Sequence, residues 1–301
     1  MPILDELAKL VQDELVKGVI KTIVDTDEIF NLIPFRKVTG GGLTVTWEKT
    51  IPQAVFIAPD GTVPQSTGGT LTQFTETVKV IARDIDIPNY AIEVMESDPA
   101  VMIEAEIKAM ARLYKKTMWQ GDTVQDANAF DGLVKKLTQV ENLGIRRSVD
   151  AGANPIDFKM LDELLALMKT GVDAIVMHPR AYIAFKDLLR RTAGGTTAHM
   201  LQLKNFGKPV LTYDGIPILQ SEYIPLNVDT TNNVTTTYIF ALRFGEADGV
   251  TGLYGGSSAG IEYKELGEVS DKDAKRFRFK WYCGLTVMSP YAIGAIKNVK
   301  V

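Results

Sequence analysis

The sequence predicts an α+β protein that combines a compact body with extended arms. Residues 99–120 repeat apolar side chains at steps of three and four, which is typical of one long amphipathic helix. Residues 43–50 and 275–290 alternate apolar with polar side chains, which indicates half-buried strands. Residues 58–69 are dense in Pro and Gly, and a second Thr-rich strand follows them. These observations favour a helical part and a strand-rich part with a long β-hairpin.

Composition and charge exclude several functional classes. The chain has 301 residues, with 33 Lys and Arg against 37 Asp and Glu, for a formal net charge of −4. One cysteine and two histidines exclude a disulfide framework and a cysteine-based zinc module. The near-balanced charge argues against broad nucleic-acid binding by the whole surface. The length is sufficient for one or two sizeable cores.

We expect neither a secretion signal nor a transmembrane helix in the first 25 residues. They lack the basic start and the cleavage site of a signal peptide, and no stretch of the chain reaches about 18 uninterrupted apolar residues. The segment suits either a helix that packs into its own core or an arm that docks on a neighbouring chain. Its apolar residues recur at helical spacing and are Ile3, Leu4, Leu7, Leu10, Val11, Leu15, Val19, Ile20 and Ile23.

Residues 40–86 are predicted to form the long hairpin. Gly40–Gly42 open it and tolerate backbone angles that other residues resist. Each leg of about 14 residues, at a rise of roughly 3.3 Å, would let the hairpin reach about 45 Å. The second leg is interpreted as one strand that continues to residue 88. Because an isolated two-stranded hairpin is marginally stable in water, we expect it to fold back on its own domain or to lie along another molecule.

After the hairpin, the pattern predicts one long helix and then alternating helices and strands. Asp98 and Pro99 suit the start of the helix, and Gly121 suits its end. A strand pair is expected around the turn at Asp214 and Gly215. The remaining predictions are helices at 156–171 and 180–191, a buried strand at 172–179, loops at 193–200 and 228–237, and a strand-rich C-terminal part.

The reactive side chains of the sequence show no spacing that is typical of a catalytic site. The glycine-rich segments match neither phosphate-binding pattern and are interpreted as hinges or turns. Asp84 and Asp86 lack further oxygen ligands at fixed spacing, so a strand edge is favoured over a divalent cation site. His178 precedes a helix, His199 lies in a predicted loop, and Cys283 suits a buried inert thiol. We therefore expect no catalytic residue, no cofactor, no metal and no enzymatic activity.

A basic run near the C-terminus has two interpretations. Lys275, Arg276, Arg278 and Lys280 alternate with the aromatic residues of one predicted strand. Such a run allows contact with nucleic acid. A strand with an apolar inner face and a charged outer face is favoured, and that face would also suit a salt-bridged contact between subunits.

The order of the elements resembles the major capsid protein of tailed bacteriophages, which has the HK97-type fold. The resemblance spans essentially the whole chain: an amphipathic arm, a Gly- and Pro-tipped hairpin, RDIDIPNYAIEV, and a helix that ends in GD before FDGL. The series HPRAY, GIPI and YIP then follows in the same order. These pieces correspond to the spine helix and the axial domain of that family.

The resemblance implies a division into domains and a set of contact residues. The implied parts are an N-terminal arm at 1–39, an extended loop at 40–86, a peripheral domain at 87–150 with 249–288, and an axial domain at 151–248 with 289–301. The extended loop would lie on an adjacent subunit. The implied candidates for contact between subunits are Trp47, Lys49, Phe56, Phe74, Arg83, Asp84, Arg276 and Arg278.

The resemblance also implies a function and partners. Pentamers and hexamers of this chain would form the icosahedral head of a phage, assembled in the host cytoplasm around double-stranded DNA that is contacted non-specifically, with no role for a membrane. A portal, a decoration protein and, because the sequence begins directly with the arm, a separate scaffolding protein are implied partners. Lys49 and Lys79 lie away from the hairpin tip, and Gly255–Tyr291 contains no Asn, so we expect no isopeptide crosslink.

Two alternatives to a phage capsid remain. The first is an encapsulin-like compartment shell, which has the same fold and packages an enzyme. The second is a mixed α/β enzyme, which the absence of a catalytic set of residues disfavours; turnover abolished by a change at His178 would support it.

Overall fold

A computed structural model of the chain describes residues 29–30, 32–40, 42–50, 54–65, 69–93, 99–191, 198–202, 209–230, 234–256 and 259–301. The N-terminal segment up to residue 28, Gly41 in the predicted hinge, Asp98 at the predicted helix start and the first part of the predicted loop at 193–200 lie outside the described residues.

The described residues form an α+β fold rich in strands, as the sequence predicts. The helices are α1 (Asn89–Glu93), α2 (Pro99–Gln120), α3 (Leu133–Asn142), α4 (Phe158–Leu167) and α5 (Pro179–Arg191). The strands are β1 (Phe35–Lys37), β2 (Leu43–Thr50), β3 (Thr70–Glu76), β4 (Lys79–Pro88), β5 (Ser148–Asp150), β6 (Ala174–Met177), β7 (Ala198–Gln202), β8 (Pro209–Tyr213), β9 (Ile216–Gln220), β10 (Leu226–Asp229), β11 (Val234–Leu242), β12 (Val250–Tyr254), β13 (Glu262–Glu268), β14 (Ala274–Val287) and β15 (Ile293–Lys300).

The strands of the described residues form two large sheets and one small one. A five-stranded sheet is built around β14, which pairs with β4 on one side and with β13 and β12 on the other; β1 extends it beside β12. An eight-stranded sheet runs β5-β15-β11-β6-β9-β8-β7, with β10 beside β11. The hairpin strands β2 and β3 form a two-stranded sheet of their own. The domain boundaries implied by the resemblance stay a prediction.

Helix α2 connects the two large sheets through one continuous core. Its predicted apolar stripe is buried, and the Tyr114 ring lies 4.6 Å from that of Trp281 in β14. Near its end, the Trp119 ring lies 5.1 Å from Phe240 in β11. Because side chains alternate along a strand, Ile239 next to Phe240 points to the opposite face, where a second core lies under α4 and α5.

Gly121 ends α2 as predicted. Close packing around this residue explains why a glycine is required there. Its backbone carbonyl accepts a hydrogen bond of 2.9 Å from the amide of Gly132. A Cβ atom at Gly121 would lie 2.2 Å from the carbonyl oxygen of Phe130. Since no side chain fits there, the glycine lets the chain fold back tightly on the end of the helix and begin α3.

The predicted second leg of the hairpin is not one strand. It is interrupted at Thr77 and Val78, so β3 pairs with β2 whereas β4 pairs with β14. The paired legs are therefore 8 and 7 residues long, shorter than the predicted 14. Val80 in β4 is exposed, whereas Phe74 in β3 is half-buried. The hairpin is thus tied at its base to the five-stranded sheet.

Two predicted loops contain strands, whereas the predicted turn is confirmed. Residues 198–202 form β7 beside β8, and residues 226–229 form β10 beside the start of β11. Asp214 and Gly215 both have positive φ angles, of 50° and 79°, which joins β8 to β9 in a tight hairpin. Among the described residues, no helix has the length and apolar character needed to cross a membrane.

Candidate inter-subunit surface

The hairpin base is fixed to its own subunit by Trp47. The side chain is 1% exposed, and its indole N–H donates to the backbone carbonyls of Val287 and Met288, each at 3.2 Å. Phe74 of the opposing strand meets the indole edge-on, with 4.2 Å between ring centres. Trp47 was a candidate for contact with a neighbour, but it offers no surface to one, because it is buried against the end of β14.

The hairpin tip, defined as residues 54–65, is exposed and partly apolar. Phe56 is fully exposed, and Val55, Ile57 and Val63 are also exposed. Exposed apolar side chains that cluster in this way mark contact surfaces. Contact of Phe56 with a neighbouring subunit stays a prediction. Lys49 lies in β2, and its side chain is outside the described part of the structure.

The aspartates of β4 are paired with the arginines of β14 within the same chain. The strand register places Asp84 opposite Arg278 and Asp86 opposite Arg276. Each arginine donates two hydrogen bonds to its aspartate, at 2.8 and 2.7 Å for Arg278 and at 2.6 and 2.8 Å for Arg276. The carboxylates are therefore bound by arginine, which favours the salt-bridged strand over a cation site.

Two further charged residues of this sheet also have partners in the chain. Arg83 is exposed and lies 3.2 Å from the carboxylate of Glu106 in α2. Lys280, the last residue of the basic run, lies 3.1 Å from Glu262. Because these cations are paired, the run presents less positive charge than its sequence indicates, and the interpretation as a charged strand face is favoured over nucleic-acid binding.

We expect the two aspartate–arginine pairs to make stability depend on acid pH. Hydrogen bonds from Arg278 and Arg276 lower the pKa of Asp84 and Asp86 below the ordinary value of 3.8. A lowered folded-state pKa contributes stability above the unfolded value, and this contribution is lost as the pH falls through the folded value. Urea unfolding of the unassembled subunit should show that Asp84→Asn with Asp86→Asn costs stability at pH 6.

The difference between the variant and the natural subunit should shrink as the pH falls below 3.8. A difference that stays constant between pH 6 and pH 2 would contradict this role of the charges. Asp60→Asn is the matched control, because Asp60 is exposed in the hairpin tip.

A buried ion pair joins the hairpin base to α3, and sequence reasoning missed it. Lys136 is 1% exposed, and its ammonium contacts the carboxylate of Glu76 at the end of β3. The signal was present in the sequence: Lys136 falls on the apolar face of α3 with Leu133, Leu137 and Val140. A lysine on such a face requires a carboxylate partner, because burial of an unpaired charge is costly.

A cleft of about 450 Å³ lies beside this ion pair, between the hairpin base and α3. On its far side, Asp131 accepts hydrogen bonds from the backbone and hydroxyl of Thr123, at 2.9 and 2.8 Å, and from Gln139 at 2.7 Å. The carboxylate thereby fixes the loop before α3. The cleft is lined by Trp47, Thr72, Phe74, Thr75, Glu76, Thr77, Lys79, Thr123, Phe130, Asp131, Gln139, Asn142 and Leu143.

The residues considered for catalysis are not brought together. His178 is largely buried at the end of β6, its Nδ1 accepts a hydrogen bond of 3.1 Å from the Arg180 amide, and burial lowers its pKa. Cys283 is buried in β14, in a different sheet. His199 lies in β7, and its side chain is outside the described part.

No group of three or more His, Cys, Asp or Glu among the described residues is arranged to hold a metal.

Cys283 should be unreactive in the folded subunit. Burial raises its pKa from 9.0 to about 12, which lowers the fraction of reactive thiolate. At pH 8, a disulfide reagent such as DTNB should react at least ~100-fold faster after unfolding in urea than before. Equal rates in both conditions would contradict the buried position of the thiol.

Three solved structures share the fold over most of this chain. The holo-SrpI encapsulin complex from Synechococcus elongatus PCC 7942 is 19% identical, with 91% of this chain and 87% of that chain covered and a TM-score of 0.67. The capsid of an empty GTA particle is 13% identical, with 91% and 90% covered and a TM-score of 0.64. The capsid of cyanophage A-1(L) is 13% identical, with 88% and 90% covered and a TM-score of 0.63. At these identities the likeness shows the fold, which is the expected HK97-like capsid fold.

Comparison of the sequence with family models identifies the family of this chain. The curated proteins contain no match to the chain. The family model described as type 2A encapsulin shell protein SrpI-like matches residues 132–301, which is more than half of the sequence. The match extends from the start of α3 to the C-terminus and so includes β5 to β15. The chain is a shell-forming, capsid-like protein and belongs to the SrpI-like family of type 2A encapsulin shell proteins.

Proposed function

We propose that this chain is the major capsid protein of a tailed bacteriophage and that its shell encloses double-stranded DNA. The hairpin is the observation that supports a subunit of a closed shell. Trp47 anchors its base, its strands pair with neither large sheet, and its tip exposes Phe56 and neighbouring apolar residues. Such an arm is suited to lie on an adjacent subunit of a closed shell. The capsid of cyanophage A-1(L), which has the same fold, supports the assignment to a phage.

Repetition of modest contacts explains how such a shell is stable. Each subunit would give its hairpin to one neighbour and receive another, so every contact is repeated throughout a closed particle. Pentamers and hexamers formed by one chain require the arms to adopt several angles, and Gly40, with a φ of 78°, suits a bend before the hairpin. A scaffolding protein, a portal and a decoration protein belong to this proposal, as does a purely structural role without catalysis.

A second candidate function is an encapsulin compartment that encloses an enzyme. The SrpI-like family match and the shared fold of the holo-SrpI encapsulin complex favour it. Both functions use the same shell contacts, so they differ in what the particle contains.

The content of native particles tests the two functions against each other. Particles that contain peptides of this chain would be isolated from the source organism or its lysate and treated with nuclease. The phage proposal expects protected double-stranded DNA of one genome length together with portal and tail proteins. A single abundant cargo enzyme without protected DNA would overturn it in favour of the encapsulin. A chain that stays monomeric with every candidate scaffold would overturn both.

A further inference from the structure

The hairpin tip and the cleft at the hairpin base are complementary surfaces of the same chain. The tip, residues 54–65, exposes Phe56 completely together with three further apolar side chains. The cleft has a volume of about 450 Å³, which lies in the range of pockets that enclose small ligands. Three aromatic residues, Trp47, Phe74 and Phe130, line it. Each subunit therefore carries both an exposed apolar projection and a cavity with aromatic walls.

The tip does not fill the cleft of its own chain. None of the residues that line the cleft belongs to the tip, and Phe56 is fully exposed. An exposed apolar patch of this kind marks a contact with another molecule. A contact between two different patches of identical chains can be repeated around a closed assembly. A second copy of the chain is therefore the partner that the two surfaces fit.

The charge of the tip matches a cation at the cleft. Asp60 is the only charged residue between positions 54 and 65, and it is exposed. Lys79 lines the cleft, where its ammonium donates a hydrogen bond of 2.7 Å to the backbone carbonyl of Ala127. Among the described residues, no carboxylate forms an ion pair with this ammonium. The cation is thus available to a carboxylate from another subunit.

The carboxylates that line the cleft have other partners. Glu76 contacts the buried ammonium of Lys136. Asp131 accepts hydrogen bonds from Thr123 and from Gln139. Because both carboxylates are engaged in this way, neither of them neutralises the ammonium at the cleft, and an incoming aspartate meets a net attraction there.

We infer that the tip of one subunit inserts Phe56 into the cleft of a neighbouring subunit and places Asp60 beside the Lys79 ammonium there. The Gly61 amide donates a hydrogen bond of 2.9 Å to the Ala58 carbonyl, so Asp60 lies in a tight turn. Four residues separate Asp60 from Phe56, a span of at most about 14 Å, so both side chains can reach one cleft. The inference rests on the proposed shell, whichever content that shell has.

Disulfide crosslinking in assembled particles tests the contact. Ile57→Cys leaves Phe56 in place and would be combined with Asn142→Cys or with Thr77→Cys, at exposed positions on the α3 side and the hairpin side of the cleft. Because a disulfide forms only where two Cα atoms approach within about 7 Å, we expect roughly tenfold more covalent dimers than in the control. The control is Ile57→Cys with Ile183→Cys, since Ile183 is exposed on α5. The natural Cys283 is buried and adds no background.

Two results of the crosslinking would overturn the inference. Intact particles in which neither cleft position crosslinks above the control would exclude the contact and leave the shell proposal standing. A disulfide within one chain, seen in unassembled subunits, would assign the tip to its own cleft. The presence of DNA or of an enzyme in the particles affects neither result, so a failure of the phage assignment is distinguishable from a failure of the contact.

A charge exchange provides a second measurement if the cysteine variants do not assemble. Asp60→Lys and Lys79→Glu, each alone, should lower the yield of particles about tenfold, because like charges would then meet at the cleft. The two substitutions together restore the attraction and should restore most of the yield. A double variant that assembles no better than the single variants would contradict the pair and overturn the inference.

Discussion

We expect a subunit with Phe56→Asp and Ile57→Asp to fold normally and to form no shells. Both side chains are exposed at the hairpin tip, so charge there costs the isolated subunit less than about 0.5 kcal/mol of its unfolding free energy. In a shell, each apolar side chain buried against a neighbour contributes roughly 1.5–3 kcal/mol, and the contact is repeated by every subunit. Size-exclusion chromatography and electron microscopy should show that particles are replaced by soluble subunits.

The control keeps the tip apolar at the same two positions. Phe56→Leu with Ile57→Val removes little apolar surface and should still give particles. Urea unfolding of the unassembled charged variant establishes that its fold is intact. If the charged variant assembles as well as the natural chain, the tip is not an inter-subunit contact, and the proposed role of the hairpin fails.

Sequence reasoning was most accurate where short-range patterns determine the structure. Helix α2 spans Pro99–Gln120 as predicted because its apolar stripe repeats over many turns. The turn at Asp214 and Gly215 is correct because few residues adopt positive φ angles. In contrast, the pattern of residues 70–88 predicts a single strand, which the structure does not show. The interruption at Thr77 was not predicted, because β4 pairs with β14, nearly 200 residues further along the chain.

The same distinction applies to the candidate contact residues. The alternating charges of β4 and β14 were visible in the sequence, but only the register shows that Asp84 lies opposite Arg278. The sequence pattern predicts that the strand containing Trp47 is half-exposed. In the structure, the end of β14 covers the Trp47 side chain. Phe56 differs, because it lies in a tip rich in Pro and Gly and its side chain is fully exposed. Local sequence therefore identifies an exposed tip more readily than a buried base.

Lys136→Met should be among the most destabilising single substitutions in the subunit. The variant fits the apolar face of α3 but leaves Glu76 without its partner in a largely buried position. Removal of one member of a buried ion pair costs about 3–5 kcal/mol, because the other charge remains desolvated. Urea unfolding of unassembled subunits measures the loss. Lys135→Met on the same helix is the matched control: the Lys135 pair with Asp122 is partly exposed and worth about 0–1 kcal/mol.

A double variant separates the ion pair from the packing around it. Glu76→Gln removes the unpaired charge left by Lys136→Met, so the two together should recover most of the lost unfolding free energy. If they do not, the cost arises from the shape of the lysine side chain and not from its charge. If stability returns but shells no longer form, the ion pair sets the angle at which the hairpin leaves its subunit. That result would explain why a charge pair is kept in a position where apolar residues would be equally stable.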